Sequence, residues 1–293
     1  MSTRRVVLVG DLMLDVVVQP SAPLAPTSDT PANVRVGSGG AGANMAVGLA
    51  RARHAVTYLG AVGSDATGQL VLAELRDAGV TVAAQMVEAA TGVVVAVVAP
   101  DGQRAMMTRR GANQHLALAW VVEQLSGEFD HLHVSGYTLL DPATRDVARA
   151  ALGIARARSV SASVDVCSVA PLATVTASVF LDVAASASML FANEEEAMVL
   201  ASEDDPDRAL VTLATLFDEV VVTRGAAGAA AMHNGGSWRV EARVANVVDT
   251  TGAGDAATGA YLAARLHGCD ELVALDDAMA AAGRVVRARG SLG

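Results

Sequence analysis

The chain has 293 residues, enough for one large α/β domain or two smaller ones, and its net charge of −10 argues against a general binder of nucleic acid or acidic membranes. All 21 basic residues are arginine, so neither a P-loop lysine nor a Schiff-base lysine is available. Cys167 and Cys269, far apart and in no C-x-x-C spacing, indicate neither a disulfide framework nor a zinc site and fit a reducing cytoplasm.

Residues 6–9 read as a buried central strand ending at Gly10-Asp11; Asp11 and Asp15 interrupt the apolar run, so it is no secretion signal. Site residues of such sheets lie just beyond strand ends, which places Asp15 in that zone. The longest uncharged stretch, 166–181, carries Pro171 and several hydroxyl residues and is too short and too polar for a membrane span. Between positions 16 and 36, short β-prone pieces around a Pro-rich 20–31 look like an excursion from the main domain.

Gly37-Ser38-Gly39-Gly40-Ala41-Gly42-Ala43-Asn44 then opens a helical run over 45–53 and formally matches G-x-G-x-x-G. A dinucleotide site wants an acid at the end of the next strand, and the strand over 57–61 is followed by Val62-Gly63 instead. The glycines are read as letting a small polyhydroxylated substrate approach the backbone, with Asn44 giving a donor and an acceptor. A Gly-rich helix start with a capping Asn is the structural alternative.

A helix over 68–78 closes at Gly79, and a β-prone run follows from Val80. Runs 92–98 and 104–108 flank Pro100-Asp101-Gly102, a hairpin signal. With no helix between them they join the first excursion as one small sheet covering the site. Arg109 and Arg110, at its return, are candidates to meet an anionic substrate group, although paired arginines also suit a solvated surface.

From Leu116 onward helices (116–125, 144–156) alternate with strands (131–134, 160–164, 189–191), the rhythm of a parallel sheet with helices on both faces. His131 and His133 share a strand face with no third ligand nearby, so no metal is expected there. Asp165, at a strand end before Cys167, suits a site or a turn. Asn193-Glu194-Glu195-Glu196 starts a helix as a capping-box-like pair, or its Asn193 and Glu196 hold the water shell of a phosphate-bound Mg²⁺. The strand over 219–222 runs into Thr223-Arg224-Gly225-Ala226-Ala227-Gly228, a loop able to lie flat against a nucleotide, and 233–236 turns a hairpin.

These pieces are organised around Asp249-Thr250-Thr251-Gly252-Ala253-Gly254-Asp255 and the helical run after it. A Gly-rich turn entering a helix aims several backbone N–H groups at one spot, and the helix dipole adds positive potential there. A carboxylate beside an anion cradle makes chemical sense when it serves the incoming nucleophile: Asp255 takes a hydroxyl proton while the amides hold phosphoryl oxygens. A helix N-cap after a Gly turn is the competing structural reading.

Taken together, the ordered motifs resemble the ribokinase-like (PfkB) family of carbohydrate kinases over nearly the whole chain. Asp249–Asp255 is similar to the family's C-terminal signature, Gly39–Asn44 to its N-terminal glycine signature, and Asn193–Glu196 to its N-x-x-E motif. The resemblance implies a three-layer α/β/α sandwich with a mostly parallel central sheet and a small β-sheet lid: a single catalytic domain over 1–293 with lid excursions at 12–37 and 92–110. It implies a cytoplasmic, ATP- and Mg²⁺-dependent phosphotransferase acting on a hydroxymethyl group of a small sugar, with Asp255 as base and Gly252, Ala253 and Gly254 as anion hole. It places Asp15, Gly39, Gly40 and Asn44 at sugar hydroxyls, with Arg109 added from the lid. Asn193, Thr223, Gly225 and Gly228 fall at the nucleotide, Glu196 at Mg²⁺ through water, and Asp249 and Thr251 at a K⁺ site. A homodimer through the lid is part of the same expectation. Ala41 and Met13 depart from the ribokinase pattern, which has Lys and Asn there. A nucleoside kinase of the same fold and a non-catalytic sugar-binding regulator are the alternatives.

Overall fold

A strand that is apolar at every position needs cover on both faces, and β1 (Arg5–Val9) has it. Val6 and Leu8 enter the core on one side of the sheet and Val9 the core on the other. The computed structural model describes residues 3–99, 104–243 and 252–287. Within them follow β2 (Met13–Pro20), β3 (Ala32–Gly39), β4 (Ala55–Gly63), β5 (Thr81–Val87), β6 (Gly92–Val98) and β7 (Arg104–Arg109). The second half holds β8 (His131–Val134), β9 (Ser161–Asp165), β10 (Met189–Asn193), β11 (Glu219–Thr223), β12 (Ala229–His233) and β13 (Gly236–Val240).

Nine strands form one sheet in the order β13-β12-β11-β10-β9-β8-β1-β4-β5. All neighbours from β11 to β5 are parallel, and β12 and β13 close one edge antiparallel. Helices cover both faces, giving the three layers that the sequence predicts. β11 repeats the lesson of β1: Val220 and Val222 pack on one side with Phe180 and Leu210, and Val221 on the other with Tyr261 and Leu275. The expected run from Val80 becomes β5, the outer edge of this sheet. A second sheet of four strands, β3-β2-β6-β7, takes its strands from the expected excursions, with β3 running on to Gly39.

Because β1 is flanked by β4 on one side and β8 on the other, the order of connection reverses at its carboxyl end. In open α/β sheets that reversal opens a crevice for ligands. The small sheet is rooted beside it. Buried Asn113 accepts from the Leu12 amide (3.0 Å) and donates to the carbonyls of Leu12 (3.1 Å) and Arg110 (3.0 Å), so one side chain joins the entry to β2 and the exit from β7. Asn113 belongs to a 3₁₀ turn, Gly111–His115, that no sequence pattern announces; the helix expected over 116–125 therefore starts at Leu118.

Two helices lie together under this crevice. Ala41–Arg51 and Ala253–Leu266 cross where a Cβ on either Gly48 or Gly259 would stand 3.9 Å from the other's Cα, which allows close approach. At their far ends the rings of His54 and His267 stack with centroids 4.2 Å apart, and His267 Nε2 meets the Ala52 carbonyl at 3.0 Å. The near ends carry Asn44 and Asp255.

Candidate active site

The helix Ala253–Leu266 starts between two cavities. One, of about 760 Å³, lies at the carboxyl end of β1 under the small sheet and is lined by Asp11, Met13, Asp15, Gly40, Ala41, Asn44, Gly252 and Asp255, among others. The second, of about 430 Å³, is lined by Asn193, Thr223, Gly225, Gly228, Ala253, Gly254, Ala257 and Met279, among others. Gly252 and Asp255 thus face one cavity and Ala253 and Gly254 the other, so the first helical turn is the wall between them. Gly252 occupies the N-cap position with φ +74°, a left-handed conformation that favours glycine, and no side chain among the described residues caps the turn. The first amides of the helix therefore have no intrahelical acceptor and point out of its positive end.

Asp255 is fixed by one strong contact: Asn44 Nδ2 donates to its Oδ2 at 2.7 Å. Burial raises the Asp255 carboxyl to about 7, against a weaker opposing pull from the Asn44 hydrogen bond, and the charges of Asp165, Asp11 and Asp15 raise it further. A carboxylate held near neutrality is well matched to moving a proton at ordinary pH. Asn44 Oδ1 is buried without a hydrogen-bond partner among the described residues, although the side chain lines the larger cavity. An acceptor left in that state is costly unless a ligand hydroxyl reaches it.

The expected site residues divide into groups. Asp15, Gly40, Asn44, Gly252 and Asp255 come together on the larger cavity, and Asn193, Thr223, Gly225, Gly228, Ala253 and Gly254 on the smaller. Gly39 does not line the cavity; it backs Asp15, because a Cβ there would lie 2.1 Å from the Asp15 carboxylate. Arg109 is a correction. The pleat of β7 turns Met106 and Thr108 toward the cavity and leaves Arg109 exposed on the opposite face, while Arg110, beyond the strand's end and in helical conformation (φ −68°, ψ −31°), lines the cavity. Asp249 and Thr251 lie outside the described residues.

Glu196 is buried in a complete capping box: its Oε2 accepts from the Asn193 amide at 2.8 Å while Asn193 Oδ1 accepts from the Glu196 amide at 2.9 Å. Burial raises its carboxyl to about 7, with Asp165 and Glu195 adding to the effect and the Asn193 amide opposing it. Asp165 is engaged as well. Its Oδ1 accepts from the Gly136 amide at 2.9 Å and stands 3.5 Å from His133 Nε2, and its Oδ2 accepts from Cys167 Sγ at 3.1 Å. Burial pushes the Asp165 carboxyl up, but His133, Cys167 and the Gly136 amide outweigh it and hold the group below the usual carboxylate range. His131 is bonded to Ser161 and Ser163 and His133 to Ser163, at 2.8 Å each, and among the described residues no group of three or more His, Cys, Asp or Glu suits a metal ion.

Several lining residues carry little or no sequence signal. Asp11, which the sequence places at a strand end, stands at the switch point itself, with its Oδ1 accepting from Ser135 Oγ at 3.2 Å; the strand order adds that placement. Cys167 lines the cavity at φ +69°, and burial together with Asp165 and Asp11 raises its thiol well above the usual range, which disfavours the thiolate. Tyr137, Asp141 and Gln114 arrive from a short helix, the loop after it and the 3₁₀ turn.

Comparison with known proteins gives concordant results. The sequence pattern of the pfkB family of carbohydrate kinases matches residues 3–292. The 2-dehydro-3-deoxygluconokinase of Thermoproteus tenax is 30% identical over 260 residues, covering 86% of this chain and 80% of that protein. The adenosine kinase structure from Sinorhizobium meliloti superposes with a TM-score of 0.89 at 25% identity, covering 100% of this chain and 96% of the other. A putative ribokinase II from E. coli, solved with ATP and Mg²⁺, has a TM-score of 0.88 at 23% identity, covering 99% and 95%.

Proposed function

The chain belongs to the pfkB family of carbohydrate kinases, and from that premise we propose that it transfers the γ-phosphoryl group of ATP to a hydroxymethyl group of a small sugar. The observation that carries this reading is the Asp255 carboxylate, held by Asn44 at 2.7 Å, on the wall shared by two cavities. The larger cavity takes the acceptor. Asp15 and the Oδ1 of Asn44, unpaired among the described residues, accept from its hydroxyls, with Gly40 allowing close approach and Gly39 leaving room for Asp15. The smaller cavity takes the nucleotide against Thr223, Gly225 and Gly228, with Asn193 at its phosphate end.

Asp255 accepts the hydroxyl proton as the oxygen attacks phosphorus, and the amides of Gly252, Ala253 and Gly254 receive the negative charge on the transferring group. Glu196 fits a hydrated Mg²⁺: one of its oxygens is committed to the capping box, and a desolvated carboxylate raised to about 7 gains from a nearby cation. Mg²⁺ supplies charge neutralisation on the phosphates when bound. The small sheet serves as a lid whose closure excludes water, which otherwise competes with the acceptor.

A nucleoside acceptor is the second reading. It is favoured by the apolar part of the larger cavity, where Met13, Val94, Met106, Leu140 and Pro171 offer a surface for a base. Incubation with ATP, Mg²⁺ and a panel of sugars and nucleosides, with ADP release as readout, separates the two. ADP release with no member of the panel, under conditions where ATP binds, overturns the kinase reading.

The lid also supports a homodimer. Register puts Val16, Val34, Val36, Val95 and Met107 on its outer face, where Val34, Val36 and Met107 are each more than half exposed. An apolar sheet face of this kind marks an association surface.

A further inference from the structure

We infer that the small-sheet wall of the larger cavity is an anion subsite, in which the Arg110 guanidinium receives a carboxylate or phosphate carried by the acceptor. The inference rests on the kinase reading and adds the charge class of the acceptor. Among the described residues lining that cavity Arg110 is the one cation, and Asp11, Asp15, Asp141 and Asp255 are its charged companions.

Its posture leaves one edge open. Nε donates to Asp141 Oδ2 at 2.9 Å, and the guanidinium carbon lies 5.1 Å from the Tyr137 ring centroid, with the side chain 19% exposed. Asp141 is shared among three donors, since Oδ2 also accepts from Gln114 Nε2 at 2.9 Å and Oδ1 from the Ala143 amide at 3.0 Å. Its charge is therefore spread, and Arg110 is gripped by Nε alone. No hydrogen bond among the described residues engages either Nη, and the pair of parallel N–H groups there matches two oxygens of a carboxylate or phosphate.

The backbone is fixed too, the Arg110 carbonyl accepting from Asn113 Nδ2 at 3.0 Å, so little freedom remains to be lost on binding. The other charged side chains on the described wall, Asp11, Asp15, Asp141 and Asp255, are carboxylates and repel a negative group, and the rest of the wall is neutral. An anionic acceptor thus has one orientation, with its charge at Arg110 and its hydroxyls left to Asp15, Asn44 and Asp255.

The test compares gluconate with glucitol and ribose 1-phosphate with ribose as acceptors, in the wild type, Arg110→Gln and Arg110→Lys, reading kcat/KM by ADP release. The anionic member of at least one pair is preferred by about 10-fold or more, and Arg110→Gln lowers that preference by about 10- to 100-fold, the range of a lost charge-assisted pair. Arg110→Lys keeps the charge without the fork and falls between. The pair that responds tells carboxylate from phosphate. Equal or better use of both neutral members, or an equal loss on both members of a pair in Arg110→Gln, overturns the subsite. If no acceptor yields ADP, the kinase reading fails separately, and titration calorimetry with gluconate and ribose 1-phosphate decides the subsite. Binding weakened by about 10-fold or more in Arg110→Gln supports it, whereas no binding or unchanged binding overturns it.

Discussion

The two cavities on either side of residues 252–255 differ in the charge they carry, four carboxylates and Arg110 in the larger against Arg243 in the smaller. The larger sets carboxylates, amides and a guanidinium among its apolar residues, and Asp11, Asn44, Asp255 and Arg110 are each held by a named partner. The smaller is walled mainly by Gly225, Ala226, Gly228, Ala242, Ala253, Gly254, Ala257 and Ala282 with Met279 and Val286. One cavity discriminates by directional hydrogen bonds and charge, which fail when a single atom is changed. The other discriminates by space, which fails when atoms are added. The same kind of substitution should therefore have different consequences on the two sides of one helical turn.

The hardest test of that contrast is Asp255→Asn, which keeps the shape and removes the proposed base. Turnover should fall by about 10²- to 10⁴-fold while ATP affinity, measured by titration calorimetry, stays within about threefold. Turnover within a few-fold of wild type would remove Asp255 from the mechanism. On the space-limited side, Ala282→Phe should raise the KM for ATP by about 10-fold and leave the acceptor KM nearly unchanged, because the ring fills part of the smaller cavity. An equal rise in both constants would mean the cavities are not separate sites.

Gly39→Ala sharpens the directional side. The new methyl displaces the Asp15 carboxylate, so the acceptor KM should rise by about 10-fold with the KM for ATP unaffected; steady-state kinetics with each substrate varied in turn reads the difference.

The smallest effects concern pH. With Asp255 near 7, kcat should climb as pH rises through neutrality and level off above it. Asn44→Leu, which removes the donor that favours the ionised form, should move that midpoint upward. The folded-state carboxyl lies above its unfolded value of about 4, so its contribution to stability is present below that value and is lost as pH rises through 7. Asp255→Asn should accordingly raise the melting temperature at pH 8 and lose the advantage at pH 4. An advantage independent of pH would contradict the burial of the charge.

Much of this was legible before folding. The continuous apolar runs of β1 and β11 need two covered faces, the capping pair Asn193 and Glu196 is a local hydrogen-bond pattern, and Gly252–Asp255 marks a helix start. Each depends on neighbours within a few residues. Arg109 and Arg110 show where such reading stops. Both sit at the return of one strand; the register of β7 on β6 turns Arg109 away, and the 3₁₀ turn that starts after Arg110 leaves that residue at the cavity. Tyr137 and Asp141 were invisible for a related reason, since no periodicity says which loop comes to lie beneath a distant sheet. The 3₁₀ turn holding Asn113 and Gln114 likewise depends on contact with Leu12.

The sequence by itself determined the layered class, the order of the motifs and the helix start that offers its amides, because strand burial, caps and glycine turns are short-range properties of the chain. Tertiary structure alone decided that Asn44 meets Asp255 across 211 positions, that Asp11 stands at the switch point and that Arg110 replaces its neighbour at the cavity. Those outcomes follow from which strands become neighbours and which face each presents, and both are fixed only when the whole sheet closes around its two cores.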